Sequence, residues 1–229
     1  MIDTMTNVMS YREEVVYLTK ETGVLPAIKL KQEENLLPYA EAMYEGGARV
    51  LEVTMTTPGV LESFKRISAH FGRKLYLAAG TTLDAASALA AIQAGAKVIV
   101  SPAVIPDVVQ TANRYRVACY LGAFTATECL ATMQAGADMC KVFPAQLGGP
   151  KYMTNLKMVF PEVNLIPSGG VSMETAAEFI RCGACAVSGA RNFFDRDMVA
   201  QHGLKWVSEQ VERYIQIVRD AKATAYPLP

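Results

Sequence analysis

Two charged side chains stand where apolar ones are expected. Lys141 lies within Met139-Cys140-Lys141-Val142-Phe143-Pro144-Ala145 and Glu52 within Arg49-Val50-Leu51-Glu52-Val53. Short apolar runs of this kind read as parallel strands covered on both faces, and such interiors almost never hold a lysine or a glutamate unless it is paired. Burial favours the neutral amine, which can add to a carbonyl and form a Schiff base, and a carboxylate beside it can carry protons. The residue types therefore point to covalent carbonyl chemistry. The competing interpretation is an ion pair that serves structure alone, a weak source of stability because removing both charges from water offsets most of their attraction.

Spacing brings the two residues together. A Gly-Ala pair recurs at Gly47-Ala48, Gly95-Ala96, Gly136-Ala137 and Gly183-Ala184, at intervals that fit two β/α units each. Each pair ends a helix and opens a strand. The fifth residue after each glycine is Glu52, Val100, Lys141 or Ser188, and two residues further come Thr54, Pro102, Phe143 and Ala190. With a side-chain period of two and layers built from alternate strands, Glu52 and Lys141 are expected at one height on opposite strands, facing inward near the C-terminal mouth.

The elements that must position them alternate along the chain. Residues 10–21 predict a capping helix, with Ser10 as N-cap and Tyr11, Val15 and Leu18 at helical spacing. Strands are expected at 24–28, 49–53, 75–78, 98–100, 117–121, within the run 139–145, 163–166 and 186–187. Helices are expected from about Glu33 to Glu45, from Pro58 at N1, after Asp84, at Pro106-Asp107, at Thr125 with a capping box to Glu128, near Ser172 with Glu174, and from about Leu204 to Ala223. Eight strands alternating with helices define the expected fold, a single α/β domain over residues 1–229 forming a (β/α)8 TIM barrel with an N-terminal capping helix. Residues 1–9 are expected to be flexible and 224–229 to form a tail.

Composition narrows the function. The chain has 229 residues, 51% of them hydrophobic, and no net charge, which argues against a nucleic-acid partner and for a small-molecule ligand. No apolar run reaches the ~18 residues of a membrane span, and the start lacks a signal-peptide pattern, so a cytoplasmic enzyme with no membrane partner is expected. Five cysteines and two histidines suit reduced core thiols better than disulfides or a metal site. Cys182-Gly183-Ala184-Cys185 sits at a helix end, not at the helix start that a redox motif needs. No metal and no cofactor are expected.

Five blocks in order, Leu51-Glu52-Val53-Thr54, Ala79-Gly80-Thr81, Val100-Ser101-Pro102, Lys141-Val142-Phe143-Pro144-Ala145 and Pro167-Ser168-Gly169-Gly170-Val171, resemble the 2-keto-3-deoxy-6-phosphogluconate / 4-hydroxy-2-oxoglutarate aldolase family. The resemblance implies a metal-free class I aldolase, usually a homotrimer, in which Lys141 forms the Schiff base and Glu52 shuttles protons. It further implies that Thr81 binds the carboxylate end of the keto acid, that Pro102, Phe143 and Ser168 orient it alongside Thr54, and that Gly169, Gly170, Ser188 and Gly189 surround a phosphate. The implied reaction cleaves a 2-keto-4-hydroxy acid, phosphorylated in the leading reading, into pyruvate and an aldehyde such as glyceraldehyde 3-phosphate. A dicarboxylic or non-phosphorylated keto acid is the alternative, and a non-catalytic sugar-phosphate-binding barrel the second. Two positions depart from the pattern. Met55 stands where many members have a carboxylate-binding arginine, for which Lys29 at the end of the first strand is the candidate replacement. Arg191 stands in a loop that is usually small and serine-rich, where it can serve a phosphate, serve a carboxylate or point outward.

Overall fold

The computed structural model describes residues 9–224; apart from Met9 and Thr224, the expected flexible start and tail lie outside the described residues. Eight parallel strands run through it: β1 (Val24–Ile28), β2 (Val50–Thr54), β3 (Tyr76–Gly80), β4 (Val98–Ser101), β5 (Ala118–Ala123), β6 (Met139–Val142), β7 (Leu165–Pro167) and β8 (Val187–Gly189). They are hydrogen-bonded in the order β7-β6-β5-β4-β3-β2-β1-β8, and bridges Leu165↔Ala184 and Ser168↔Ser188 bring the two ends together. The helices are α1 (Tyr11–Thr22), α2 (Leu37–Glu45), α3 (Val60–Phe71), α4 (Ala85–Gln93), α5 (Pro106–Arg114), α6 (Ala126–Gln134), α7 (Gly149–Val159), α8 (Met173–Arg181), α9 (Arg196–His202) and α10 (Lys205–Ala223). This is the expected (β/α)8 barrel.

The repeated Gly-Ala pair has one physical job. Gly47, Gly95, Gly136 and Gly183 take φ values of 102°, 113°, 79° and 101°, a left-handed backbone that costs a residue with a Cβ and costs glycine little. Ala48, Ala96, Ala137 and Ala184 then donate their N–H groups to carbonyls five residues back, at 3.0–3.1 Å. That Schellman arrangement stops each helix and aims the chain into the next strand.

Strand register gives the layers. Ser188 pairs with Leu25, and two residues on, Ala27 pairs with Glu52. Glu52 pairs with Ala78, which pairs with Val98, two residues before Val100. Val100 pairs with Tyr120, which pairs with Met139, two residues before Lys141. Lys141 pairs with Ile166, and two residues on, Ser168 meets Ser188. Every double step climbs two residues, which over the circuit is the stagger with which such barrels close. Glu52, Val100, Lys141 and Ser188 thus share one layer, as expected. The layer beneath is Leu25, Ala78, Tyr120 and Ile166, an apolar floor. The one above is Ala27, Gly80, Gly122 and Ser168, small residues that leave room below the mouth.

Helix α1 closes the opposite end. Ser10 and Glu13 form its capping box, and Val15 and Leu18 join the barrel interior cluster. The Thr19 hydroxyl lies 2.9 Å from that of Tyr120, and burial pushes the Tyr120 phenol up, so it stays protonated.

Several boundaries differ from expectation. Helix α2 starts at Leu37, not near Glu33, because Pro38 has no N–H and fits only in a first turn. Pro58 is not at N1: Gly59 takes φ 69° and α3 begins after it, at Val60. The last helix is preceded by the short α9, ended by Gly203 at φ 70°. The helix after β6, expected from the alternation but without bounds, is α7, with Pro150 in its first turn.

Candidate active site

Lys141 and Glu52 meet inside the barrel. Nζ donates to both Glu52 carboxylate oxygens, each at 2.9 Å. Lys141 is 8% exposed and Glu52 3%, so each charge has lost its water and has the other as its direct counter-ion. The space for the Glu52 carboxylate comes from Gly80. A Cβ on Gly80 would run into Glu52 Oε1, and one on Gly122, which pairs with Lys141, would collide with the Pro102 carbonyl. Both positions are functional in the sense that they hold nothing. Reading the sequence for chemical groups passed over them, although Gly80 lies inside the Ala79-Gly80-Thr81 block.

Around the pair, the structure places the other expected residues on strand ends at the mouth. Thr54 is buried, its Oγ1 3.0 Å from Thr56 Oγ1 and 3.3 Å from Thr57 Oγ1. Thr81 follows β3 with φ 56°, a left-handed conformation that costs a β-branched residue roughly 1–3 kcal/mol. Its neighbour holds it there: Thr82 donates its N–H to Val100 O at 3.0 Å and its hydroxyl to Ala79 O at 2.9 Å. Lys29 is exposed one residue past β1. It shares the inward phase of Leu25 and Ala27, and among the described residues it makes no ion pair. Met55 is half-buried against the outer apolar core.

A cavity of about 540 Å³ opens between the ends of β6, β7 and β8, lined by Phe143, Ser168, Gly169, Gly170, Gly189 and Arg191 among others. Gly169 and Gly170 take φ 85° and 74°. Consecutive backbone N–H groups in such a turn form an anion-receptive nest, and α8 begins just beyond it behind Ser172, adding its positive dipole end. Gln146, not anticipated, packs over the loop, its Oε1 2.8 Å from where a Gly169 Cβ would be. Arg191 lies at the rim, its side chain 88% exposed, with Nε 3.2 Å from Asp195 Oδ2. The Met198 backbone N–H and then this guanidinium hold the Asp195 carboxyl below its ordinary range. Arg191 therefore already has a carboxylate partner. Lys151 is exposed in α7 and does not line the cavity.

A closed barrel with a buried amine and carboxylate in contact below its C-terminal mouth, and an anion nest at the same end of the strands, has the architecture of an enzyme acting on a small carbonyl compound. The family description "KDPG and KHG aldolase" matches residues 15–210. A 2-dehydro-3-deoxy-phosphogluconate aldolase of Pseudomonas aeruginosa is 31% identical over 77% of this chain and 80% of its own. A 2-dehydro-3-deoxy-6-phosphogalactonate aldolase of Escherichia coli is 29% identical over 82% of this chain and 90% of its own. The crystal structure of a KDPG aldolase from Legionella pneumophila, with pyruvate captured as a covalent carbinolamine, superposes with a TM-score of 0.79 at 25% identity, over 86% of this chain and 96% of that one. The chain belongs to the KDPG and KHG aldolase family. It is a carbon–carbon lyase of the class I aldolase type.

Proposed function

We propose that the protein cleaves 2-keto-3-deoxy-6-phosphogluconate, or a close stereoisomer, to pyruvate and glyceraldehyde 3-phosphate through a Schiff base on Lys141. The observation that carries this reading is the 2.9 Å contact of Lys141 Nζ with both oxygens of Glu52 in a sealed layer. A proton passed across that contact leaves a neutral amine with its lone pair free. The amine adds to C2 of the keto acid, and the oxygen of the resulting carbinolamine leaves as water with a proton from Glu52. The protonated imine then draws the C3–C4 bonding electrons while Glu52, directly or through a water molecule, takes the proton of the C4 hydroxyl. The aldehyde departs, and an enamine of pyruvate remains to be protonated and hydrolysed. The iminium is the electron sink, so the residues themselves complete the reaction.

Lys29 supplies the positive charge for the C1 carboxylate that Met55 cannot, with Thr81, Thr54, Pro102 and Phe143 completing that end of the site. The phosphate lies in the nest of Gly169, Gly170 and Gly189, while Ser168 orients the keto acid beside Phe143. The prior pairing of Arg191 with Asp195 favours a phosphate held by backbone N–H groups over a second carboxylate held by that arginine. Turnover of the same keto acid with and without its phosphate separates the two substrates. The protein works as a homotrimer in the cytoplasm.

Incubation with pyruvate and borohydride tests the mechanism. Lys141 is expected to gain the mass of one reduced pyruvate, and Lys141→Ala to gain none and lose turnover. Absence of the adduct on the unaltered enzyme would refute the Schiff base and favour a barrel that only binds its ligand.

A further inference from the structure

The layer that holds the ion pair has four corners, and two of them have no role in the reaction as drawn. Glu52 and Lys141 face each other from β2 and β6, so the remaining corners, from β4 and β8, flank their contact on either side. On one side is Val100, apolar and buried. On the other is Ser188, 1% exposed, whose Oγ finds no hydrogen-bond partner among the described residues. The inward residues of the floor offer nothing to it. Leu25, Ala78 and Ile166 are apolar, and the Tyr120 hydroxyl is turned away to Thr19. A buried hydroxyl without a partner is destabilising, and such groups call for a specific explanation. Here the chamber is asymmetric. One wall of the pair is hydrocarbon, and the other carries the Ser188 hydroxyl with that of Ser168, its bridge partner, in the layer above.

We propose that Ser188 is a third catalytic residue, and that its hydroxyl binds the oxygen that leaves C2 when the carbinolamine becomes the imine. This rests on the Schiff-base reading of Lys141. In that step the nitrogen lone pair forms the C2=N bond as the C2–O bond breaks, and the departing hydroxyl takes a proton from Glu52 and becomes water. Ser188 donates its O–H to that oxygen and exchanges no proton of its own. It holds the oxygen on the polar side of the amine–carboxylate line, within reach of Glu52 and away from Val100. The same bond acts in reverse when water attacks the imine to release pyruvate.

Oxygen exchange isolates this step. An aldolase that forms the imine reversibly washes ¹⁸O from the carbonyl of [2-¹⁸O]pyruvate into water, with no C–C bond made or broken. In Ser188→Ala the exchange is expected to slow by about ten-fold, the effect of one hydrogen bond of about 1.4 kcal/mol. The KM for the keto acid should stay within about two-fold, since the ground-state carboxylate and phosphate contacts are untouched, and Ser188→Thr, which keeps the hydroxyl, should recover more exchange than alanine does. A melting temperature matching the parent excludes misfolding as the cause. Exchange in Ser188→Ala at the parent rate would overturn the assignment, as would a loss confined to KM. Failure of the underlying reading looks different: the unaltered enzyme would then show neither exchange nor a borohydride adduct.

Discussion

At the scale of single residues, the site is made as much by what is missing as by what is present. Glu52 keeps its carboxylate on Lys141 because Gly80 has no Cβ where Oε1 lies. Gly80→Ala is expected to push that carboxylate off the amine, and displacement of about 1 Å can cost ~100-fold in rate. Measured kcat should fall by about that factor while the barrel still folds, since overpacking costs typically 1–3 kcal/mol; an unchanged kcat would remove Gly80 from the account. Lys29 is proposed to act differently, as a cation that makes no ion pair among the described residues. Lys29→Ala should raise the KM for the keto acid by about ten-fold or more, the worth of a charged hydrogen bond, with kcat changed far less; an unaltered KM would exclude it. Glu52 and Lys141 could be read from the sequence because a charge in an apolar run is conspicuous and the Gly-Ala repeat sets their height. Gly80, Gly122 and Gln146 escaped because their roles depend on distances between strands and loops that no local pattern encodes.

At the scale of elements, legibility followed the strength of local signals. Left-handed glycines and capping boxes marked real boundaries at Gly47, Gly95, Gly136, Gly183, Ser10 and Thr125, since each satisfies backbone groups on its own. Two of the misplacements came from proline and glycine acting together. Pro58 has the right form for N1, but Gly59 after it turns left-handed, and Gly148-Gly149-Pro150 resembles a turn while opening α7. Helix α1 shows what a motif cannot give, which is where an element docks. Arg12 fastens it to the barrel base through Nε to Asp138 Oδ1 and Nη1 to Asn113 Oδ1, both at 2.7 Å, and Nη2 to Gly136 O at 2.9 Å. Asp138 also accepts from the Cys119 N–H at 2.8 Å. Arg12→Ala therefore leaves a half-buried carboxylate short of its partner and should cost about 1–3 kcal/mol in denaturant melts. Because the base lies at the far end of the strands from Lys141, kcat/KM at low temperature should hold. Loss of activity without loss of stability would mean that α1 acts on the site.

At the scale of the whole molecule, one fold carries two polarities. The base is plugged by α1, while the mouth collects the strand ends, the anion nest and residues that a lone barrel leaves in water. Phe143, next to the catalytic strand, is 43% exposed, and Leu147, just beyond it, is 72% exposed. Apolar side chains at the rim of an active site are a poor fit to solvent and a good fit to a neighbouring copy, whose contact would remove them from water at roughly 25 cal/mol per Å². In the proposed homotrimer such contacts would also steady the β6–α7 connection that carries Phe143. The homotrimer that the family resemblance implies would have a solution mass three times the 24.8 kDa of the chain, and Leu147→Asp should shift the protein towards smaller species in light scattering. If assembly shapes the rim, the same substitution raises the KM for the keto acid as the trimer dissociates on dilution, and the borohydride adduct at Lys141 persists, because the amine and its carboxylate are enclosed by one chain alone. A parent protein that runs at 24.8 kDa at every concentration would show that the barrel tolerates these residues in water and completes its site unaided.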